Sequence, residues 1–423
     1  MSDGSIDIRH EARARVYATP LEALNPAQPE LFRQDAMWPI FERLRAEDPV
    51  HYTPESDYGG FWSIARYNDI MAIETNHKVF SSADGITLQS LESKAEMASR
   101  PVRPSFISMD PPRHDEQRKT VSPVVAPANL ERMAPLIRER AGLILDALPI
   151  GEEIDWVDLV SKELTAMTLA TLFDFPFEER RRLTHWSDMM TNPPGFGPVK
   201  SWEHKRAEIA ECHATFRQLW NERVNAPPKF DLISMLAHGE ATRNMDVEEY
   251  HGNVGLLIIG GNDTTRNTIS GSVYALNRFP AQYAKLRENP ALIPSMVSET
   301  IRWQTPLAHM RRTAVEDIEF GGKTIRAGDL VVMWYVSGNR DDSVIDDPDN
   351  YIIERPRPRM HMSFGFGIHR CVGNRLAELQ LTIIWEEILK RFPVIELAGD
   401  PTRTHSVFVK GYESLPVVIP RRT

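Results

Sequence analysis

Apolar positions along the chain follow two rhythms. Across most of residues 113–304 they recur every three to four residues, the spacing of one helix face. Leu130, Met133, Ile137, Ala141, Ile144 and Leu148 form one such stripe. Elsewhere the period is two. The runs Val50-His51-Tyr52-Thr53 and Phe61-Trp62-Ser63-Ile64 flank Gly59-Gly60 and predict a hairpin. Residues 311–335 alternate around Gly321-Gly322, and 393–420 hold further short β-like runs. A helix is predicted over 36–46, with Asp35 as its N-cap. Residues 81–111 lack periodicity, carry Gly85, Pro101, Pro104 and Pro111, and read as a long loop forming part of a pocket wall. The Pro- and Gly-rich stretch 191–198 interrupts two helical runs, as a mobile lid or a plain turn between helices. The pattern as a whole predicts a mainly α fold with a small β part.

The longest predicted helix runs from Glu249 to Phe279 without proline, about 45 Å if wholly helical. In its middle stand Gly260, Gly261, Asn262, Asp263, Thr264 and Thr265. Two glycines inside a helix cost roughly 2 kcal/mol against alanine, so this stretch is retained for a reason other than helix stability. The glycines clear space for something to approach, and Asp263 and Thr264 place a carboxyl and a hydroxyl beside it. The competing reading starts a helix at Asn262 or Asp263, capped by those side chains. The apolar run Val254–Ile259 just before argues against such a break.

The second stretch with chemistry is Phe364-Gly365-Phe366-Gly367-Ile368-His369-Arg370-Cys371-Val372-Gly373. Its glycines allow a tight turn and close approach to a flat ligand. Leu376, Leu379, Ile383, Ile384 and Ile388 predict a helix directly behind it, from about Gly373. The N–H groups and positive dipole end of that helix point at the sulfur and favour thiolate. A lone thiolate held this way suits a metal that brings its other ligands with it, as the iron of haem b does.

Composition narrows the rest. Net charge is −10, with Asp+Glu 59 against Lys+Arg 49 in 423 residues, which argues against general nucleic-acid binding. Two cysteines, Cys212 and Cys371, make no disulfide framework and fit a reducing cytoplasm. No apolar run reaches about 18 residues, so no membrane span is expected, and the polar first 30 residues lack the apolar core of a signal peptide. No repeat or shift in composition divides the chain. The expectation is a polar arm over 1–35 and one domain over 36–423.

The order Phe-Gly-x-Gly-x-His-x-Cys-x-Gly resembles the haem-binding loop of the cytochrome P450 family. Residues 260–265 resemble the same family's oxygen-activating motif, and the likeness extends from about Ala36 to Pro416. This resemblance implies a single P450-type domain, its long central helix crossing one face of the haem and the cysteine loop on the other. It implies a haem-thiolate monooxygenase that inserts one oxygen atom of O2 into an unactivated C–H bond. Cys371 would be the axial ligand, with Phe364 and Gly365 in the cofactor loop. Thr264 would hydrogen-bond to oxygen and Asp263 would relay protons. His114, Arg118, Arg312 and His369 would contact the haem propionates, with Arg311 and His361 as rivals. Glu299, Arg302 and Arg355 resemble a buried structural network.

Within the family, stretches such as Glu47–Tyr52 and Trp303–Arg312 resemble soluble bacterial alkane and fatty-acid ω-hydroxylases. That implies attack on the terminal methyl of medium-chain alkanes or fatty acids. A primary C–H bond is the stronger one, so selectivity for it must come from positioning in a narrow apolar tube. Candidate walls are Ile86, Leu88, Met189, Met190, Phe196, Leu257, Ile258, Gly261, Leu307, Met310, Val407 and Phe408. No flavin or iron–sulfur motif is present, so electrons come from outside. The resemblance implies a [2Fe–2S] ferredoxin and an NADH-dependent ferredoxin reductase. Arg113, Lys119, Arg370 and Arg375 would dock an acidic ferredoxin or form a solvated basic rim. A monomer is expected. The alternatives are a terpenoid or steroid side chain as substrate, or a haem protein for electron transfer or sensing. A peroxide-driven peroxygenase is a third, which the intact Asp263-Thr264 pair argues against.

Overall fold

The computed structural model describes residues 3–423. The chain opens with α1 (Asp3–Ala18), α2 (Pro29–Arg33) and α3 (Trp38–Glu47). Residues 1 and 2 of the arm lie outside the described residues; most of the rest of it is helix, with Ala12 and Val16 buried. α3 carries Pro39 in its first turn, where a missing N–H does no harm, and buries Ile40, Phe41 and Leu44. Asp35 does not cap it. Asp35 sits at φ 54° and its carboxylate accepts from the Trp38 indole at 2.9 Å.

β1 (Val50–Thr53) and β2 (Phe61–Ile64) form the predicted hairpin, pairing Val50 with Ile64 and Thr53 with Phe61. α4 (Tyr67–Thr75) and β3 (Phe80–Ser81) follow. The region read as an aperiodic loop contains a short helix, α5 (Leu91–Met97), started by the Ser90 side chain accepting from Ser93 N. None of its residues is buried, so it leaves no apolar period to read.

Next come α6 (Arg113–Val121), α7 (Pro127–Asp146), β4 (Glu153–Asp155), α8 (Glu163–Phe173), α9 (Arg181–Thr191), α10 (Trp202–Val224) and α11 (Leu232–His238). The expected stripe from Leu130 to Leu148 is buried in the core around α7. α12 (Val247–Arg278) is 32 residues, about 48 Å long, and starts at Asp246, whose side chain accepts from Glu249 N. It runs unbroken through Gly260–Thr265, so no helix begins at Asn262. α12 packs against α8, α9 and α14 (Ile293–Gln304), with α13 (Pro280–Glu288) between.

β5 (Met310–Ala314), β6 (Ile318–Phe320), β7 (Lys323–Ile325) and β8 (Leu330–Met333) occupy the predicted β region, with β6 and β7 joined across Gly321-Gly322. The main sheet runs β1-β2-β8-β5-β3, with β2 and β8 parallel. Arg311 and Arg312 are neighbours on β5 and therefore point to opposite faces. α15 (Tyr335–Gly338) leads on to the cysteine loop, and α16 (Asn374–Arg391) packs on α7 and α14. The C-terminal stretch holds β9 (Glu396–Leu397), β10 (Thr402–Arg403), β11 (Tyr412–Ser414) and β12 (Pro416–Val418). Among the described residues no helix is long and apolar enough to cross a membrane.

Candidate active site

α16 begins at Asn374, directly after Gly373, as the apolar period predicts. The backbone N–H groups of Gly373 and Asn374 reach the Cys371 sulfur, and Arg118 and Arg370 stand near it. Burial nevertheless raises the free thiol above its usual value. Cys371 is surrounded by protein yet keeps accessible surface. Its own N–H donates to Phe364 O at 2.8 Å and closes the loop. Cys212, by contrast, is a buried core thiol.

The glycines of the loop make the expected tight turn. Gly365 and Gly367 both sit at φ 64°. A Cβ on Gly365 would meet Glu74 Oε2 at 2.8 Å, and one on Gly367 would meet Glu74 O at 2.4 Å. Both glycines let the loop approach the C-terminal turn of α4 closely. Glu74 is buried and accepts from Phe366 N at 2.5 Å, from Tyr335 Oη at 2.6 Å and from Arg312 Nη2 at 3.1 Å. It ties the cysteine loop to the sheet. Sequence reasoning missed it, because its partners lie more than 230 positions away.

Basic groups gather beside the loop. The rings of His114 and His369 lie 4.3 Å apart. Arg118 donates to the carbonyl of Arg370. Burial, followed by Arg312, His114 and Arg118, pushes His369 down to about 2. His114 Nε2 and both ring nitrogens of His369 are buried without a hydrogen-bond partner. Buried polar atoms are normally satisfied, so this cluster fits an anionic group such as the two carboxylates of haem b. The rivals lie elsewhere. Arg311 donates to Asp84 O and faces the Asp84 carboxylate at 3.5 Å. His361 packs on Phe364 at 5.3 Å, and burial and Arg302 hold it down at about 3.

On α12 the Thr264 hydroxyl donates to Gly260 O at 3.1 Å. Gly260 has nothing within 4 Å of where a Cβ would stand, whereas a Cβ on Gly261 would meet Leu169 of α8 at 2.6 Å. Gly261 is therefore needed for helix packing, and the open side belongs to Gly260. Asp263 is fully buried. Its Oδ1 accepts from Ser187 at 2.9 Å, Asn262 at 3.0 Å and Arg266 at 3.0 Å, while Oδ2 has no partner. Burial raises its pKa, Arg266 opposes that, and Asp188 adds to it. Arg266 also holds Asp188 at 2.5 Å, and Asp188 meets Lys162 at 3.3 Å. Lys162 is 24% exposed, so charged groups lead from Asp263 toward solvent. Of these partners only Arg266, three residues on from Asp263 and so on the same helix face, was legible in the sequence.

Glu299 and Arg302 are both fully buried and paired through two bonds of 2.8 Å. Arg355 Nε joins Glu299 at 3.0 Å. Arg302 also donates to the carbonyls of Asn339, Pro348 and Asn350. The Asn339 side chain in turn bonds Met362 N and Ser363 Oγ at 2.8 Å each, just before the cysteine loop.

The expected wall residues differ in exposure. Ile258 and Met189 are fully buried core, so neither faces an interior space. Phe196 stacks on His405 at 3.9 Å. Ile86, Leu257, Leu307, Met310 and Phe408 keep partial exposure, and Leu88 and Val407 are buried beside them. Backbone bonds join three of these segments: Arg311 N to Ile86 O at 2.7 Å, Ala308 N to Phe408 O at 2.8 Å, and Lys410 N to Pro306 O at 2.9 Å.

Known proteins resemble this chain in sequence and fold. The family model described as Cytochrome P450 matches residues 199–411. Linalool 8-monooxygenase of Pseudomonas putida is 37% identical over 397 residues, spanning 92% of this chain and 97% of its own. The methyl-branched lipid omega-hydroxylase of Mycobacterium bovis is 31% identical, spanning 89% of this chain and 90% of its own. The solved structure of CYP153D17 from Sphingomonas sp. PAMC 26605 superposes with a TM-score of 0.86 at 46% identity, covering 94% of this chain and 98% of that one. With that likeness running along nearly its whole length, the chain belongs to the cytochrome P450 family, monooxygenases that work with haem b.

Proposed function

We propose that this P450 hydroxylates the terminal methyl group of medium-chain alkanes or fatty acids. The reading is supported by Ile86, Leu307, Met310 and Phe408, partly exposed apolar residues on backbone-linked segments that would form an apolar wall beside the substrate. A similar protein that is itself an omega-hydroxylase supports it. A fixed apolar wall limits how far along a flexible chain the reacting carbon can lie, which is what selection of a primary position demands.

Haem b, when bound, supplies the iron at which dioxygen is reduced and split, and a thiolate ligand favours that cleavage. Cys371 would be this ligand, its charge stabilised by the N–H groups of Gly373 and Asn374. His114, Arg118, Arg312 and His369 would take the two carboxylates. Glu74 orients Arg312 and the cysteine loop together. Thr264 would orient a proton toward the reacting oxygen. Burial raises the pKa of the Asp263 carboxyl against the pull of Arg266, which favours its taking up a proton. Its unpartnered Oδ2 can deliver that proton while Oδ1 stays held by Ser187 and Arg266. Arg266, Asp188 and Lys162 mark the side on which the site leads to the surface, from which solvent would resupply the proton.

Electrons would come from a [2Fe–2S] ferredoxin reduced by an NADH-dependent reductase. Lys119, Arg370 and Arg375 are exposed on the side of Cys371 and would meet an acidic partner, whereas Arg113 is already tied to buried Glu249. The 37% identical linalool 8-monooxygenase favours a second reading, a terpenoid with a terminal methyl. Mass spectrometry of products from decane, dodecanoic acid and linalool, with a ferredoxin system, separates the two. The expected products are 1-decanol and 12-hydroxydodecanoic acid. Mainly internal alcohols, or turnover of linalool alone, would overturn the first reading.

A further inference from the structure

His309 is fully buried between the Leu88 and Val407 segments. Its Nδ1 lies 2.8 Å from Val407 O, and its Nε2 lies 3.1 Å from Leu88 N. A carbonyl only accepts and an amide N–H only donates, so the ring must carry its proton on Nδ1 and accept at Nε2. Burial pushes its pKa down to about 4, with Val407 O opposing and Arg311 adding, which keeps the ring in this neutral form. The ring also packs on Phe408 at 5.5 Å and Trp334 at 5.1 Å.

Leu88 belongs to the segment before α5, Val407 to the loop before β11, and His309 itself to the residue before β5. The backbone bonds of Ile86, Pro306 and Phe408 link these segments in pairs. The His309 side chain reaches both of the others at once. We propose that His309 is a positioning residue that clamps the Leu88 and Val407 segments at a fixed separation and thereby sets which carbon of a chain substrate is presented for oxidation. The proposal rests on the terminal-hydroxylation reading and says which residue enforces it.

Two variants and one measurement on the unaltered enzyme test it. His309→Phe keeps ring volume but loses both bonds. His309→Gln keeps a donor and an acceptor. In the haem-loaded enzyme, His309→Phe should keep the carbon-monoxide spectrum of the wild type, because the cysteine loop is untouched. The ratio of terminal to internal alcohols from dodecanoic acid should fall by about tenfold, the effect of ~1.36 kcal/mol between competing barriers. The midpoint of the dodecanoic-acid-induced Soret shift should rise by a similar factor, and His309→Gln should recover part of both. An unchanged ratio and midpoint in His309→Phe, or a Gln variant no better than Phe, overturns the clamp. Should His309→Phe not fold, hydrogen exchange in the wild-type holoenzyme decides: the Leu88 amide should be among the slowest of residues 83–90, and fast exchange there overturns the proposal. If the wild type makes no terminal product at all, the substrate reading fails, and the clamp is then judged on the midpoint and on Leu88 exchange.

Discussion

Replacing Glu299 by alanine will lower the stability of the folded protein by about 3–5 kcal/mol, the loss found when one partner of a buried ion pair is removed. Arg302 is fully buried and would keep its charge without a carboxylate. Arg355 would lose the same partner. The backbone donor Ile352 N, held by Glu299 Oε1 at 2.8 Å, would be orphaned as well. The effect passes to the active site through named bonds: Arg302 to the Asn339 carbonyl, then the Asn339 side chain to Met362 N and Ser363 Oγ. Haem content should fall along with the unfolding midpoint. Arg302→Lys should also be costly, because an ammonium cannot form the two-pronged bond to Glu299 and still reach three carbonyls. Urea unfolding with haem absorbance as a second probe measures both. A change under about 1 kcal/mol with full haem content would contradict this account of the network.

Asp263→Asn should cut the rate of product formation by about a hundredfold, the low end of what a positioned proton donor contributes. The amide has the same shape and can still meet Ser187, but it has no proton to give. Arg266 keeps Asp188 as its partner at 2.5 Å, so the helix should remain folded. The loss should appear in kcat with little change in KM, as for an interaction needed only in the transition state. Peroxide should account for more of the NADH consumed. Steady-state kinetics with saturating ferredoxin and a peroxide assay decide the matter. A near wild-type rate would remove Asp263 from the proton path.

The readable parts of this site were the local ones. The loop from Phe364 to Gly373 and the helix behind it lie within some 25 positions, so chemistry and periodicity stand side by side in the sequence. The long helix announced itself by an apolar run and by glycines kept against their propensity. What stayed hidden depended on partners far along the chain. Glu74 reads as one acidic residue near a helix end, and only folding brings it to Phe366, 292 positions away. Asp188 and His309 are likewise silent until their elements pack. The choice between Gly260 and Gly261 turned on a rotation of about 100° per residue, which depends on where α8 lies. Asp35 failed as a cap because the chain turns left-handed there and spends the carboxylate on Trp38.

The central claim is that Cys371 supplies a thiolate to the haem iron. The direct measurement is the absorption spectrum of the reduced, natively folded protein under carbon monoxide. Thiolate ligation predicts a Soret band near ~450 nm that Cys371→His moves to ~420 nm, reporting the axial donor. A wild-type band near ~420 nm in protein shown to be native, or a Cys371→His variant that keeps the wild-type band, would contradict it.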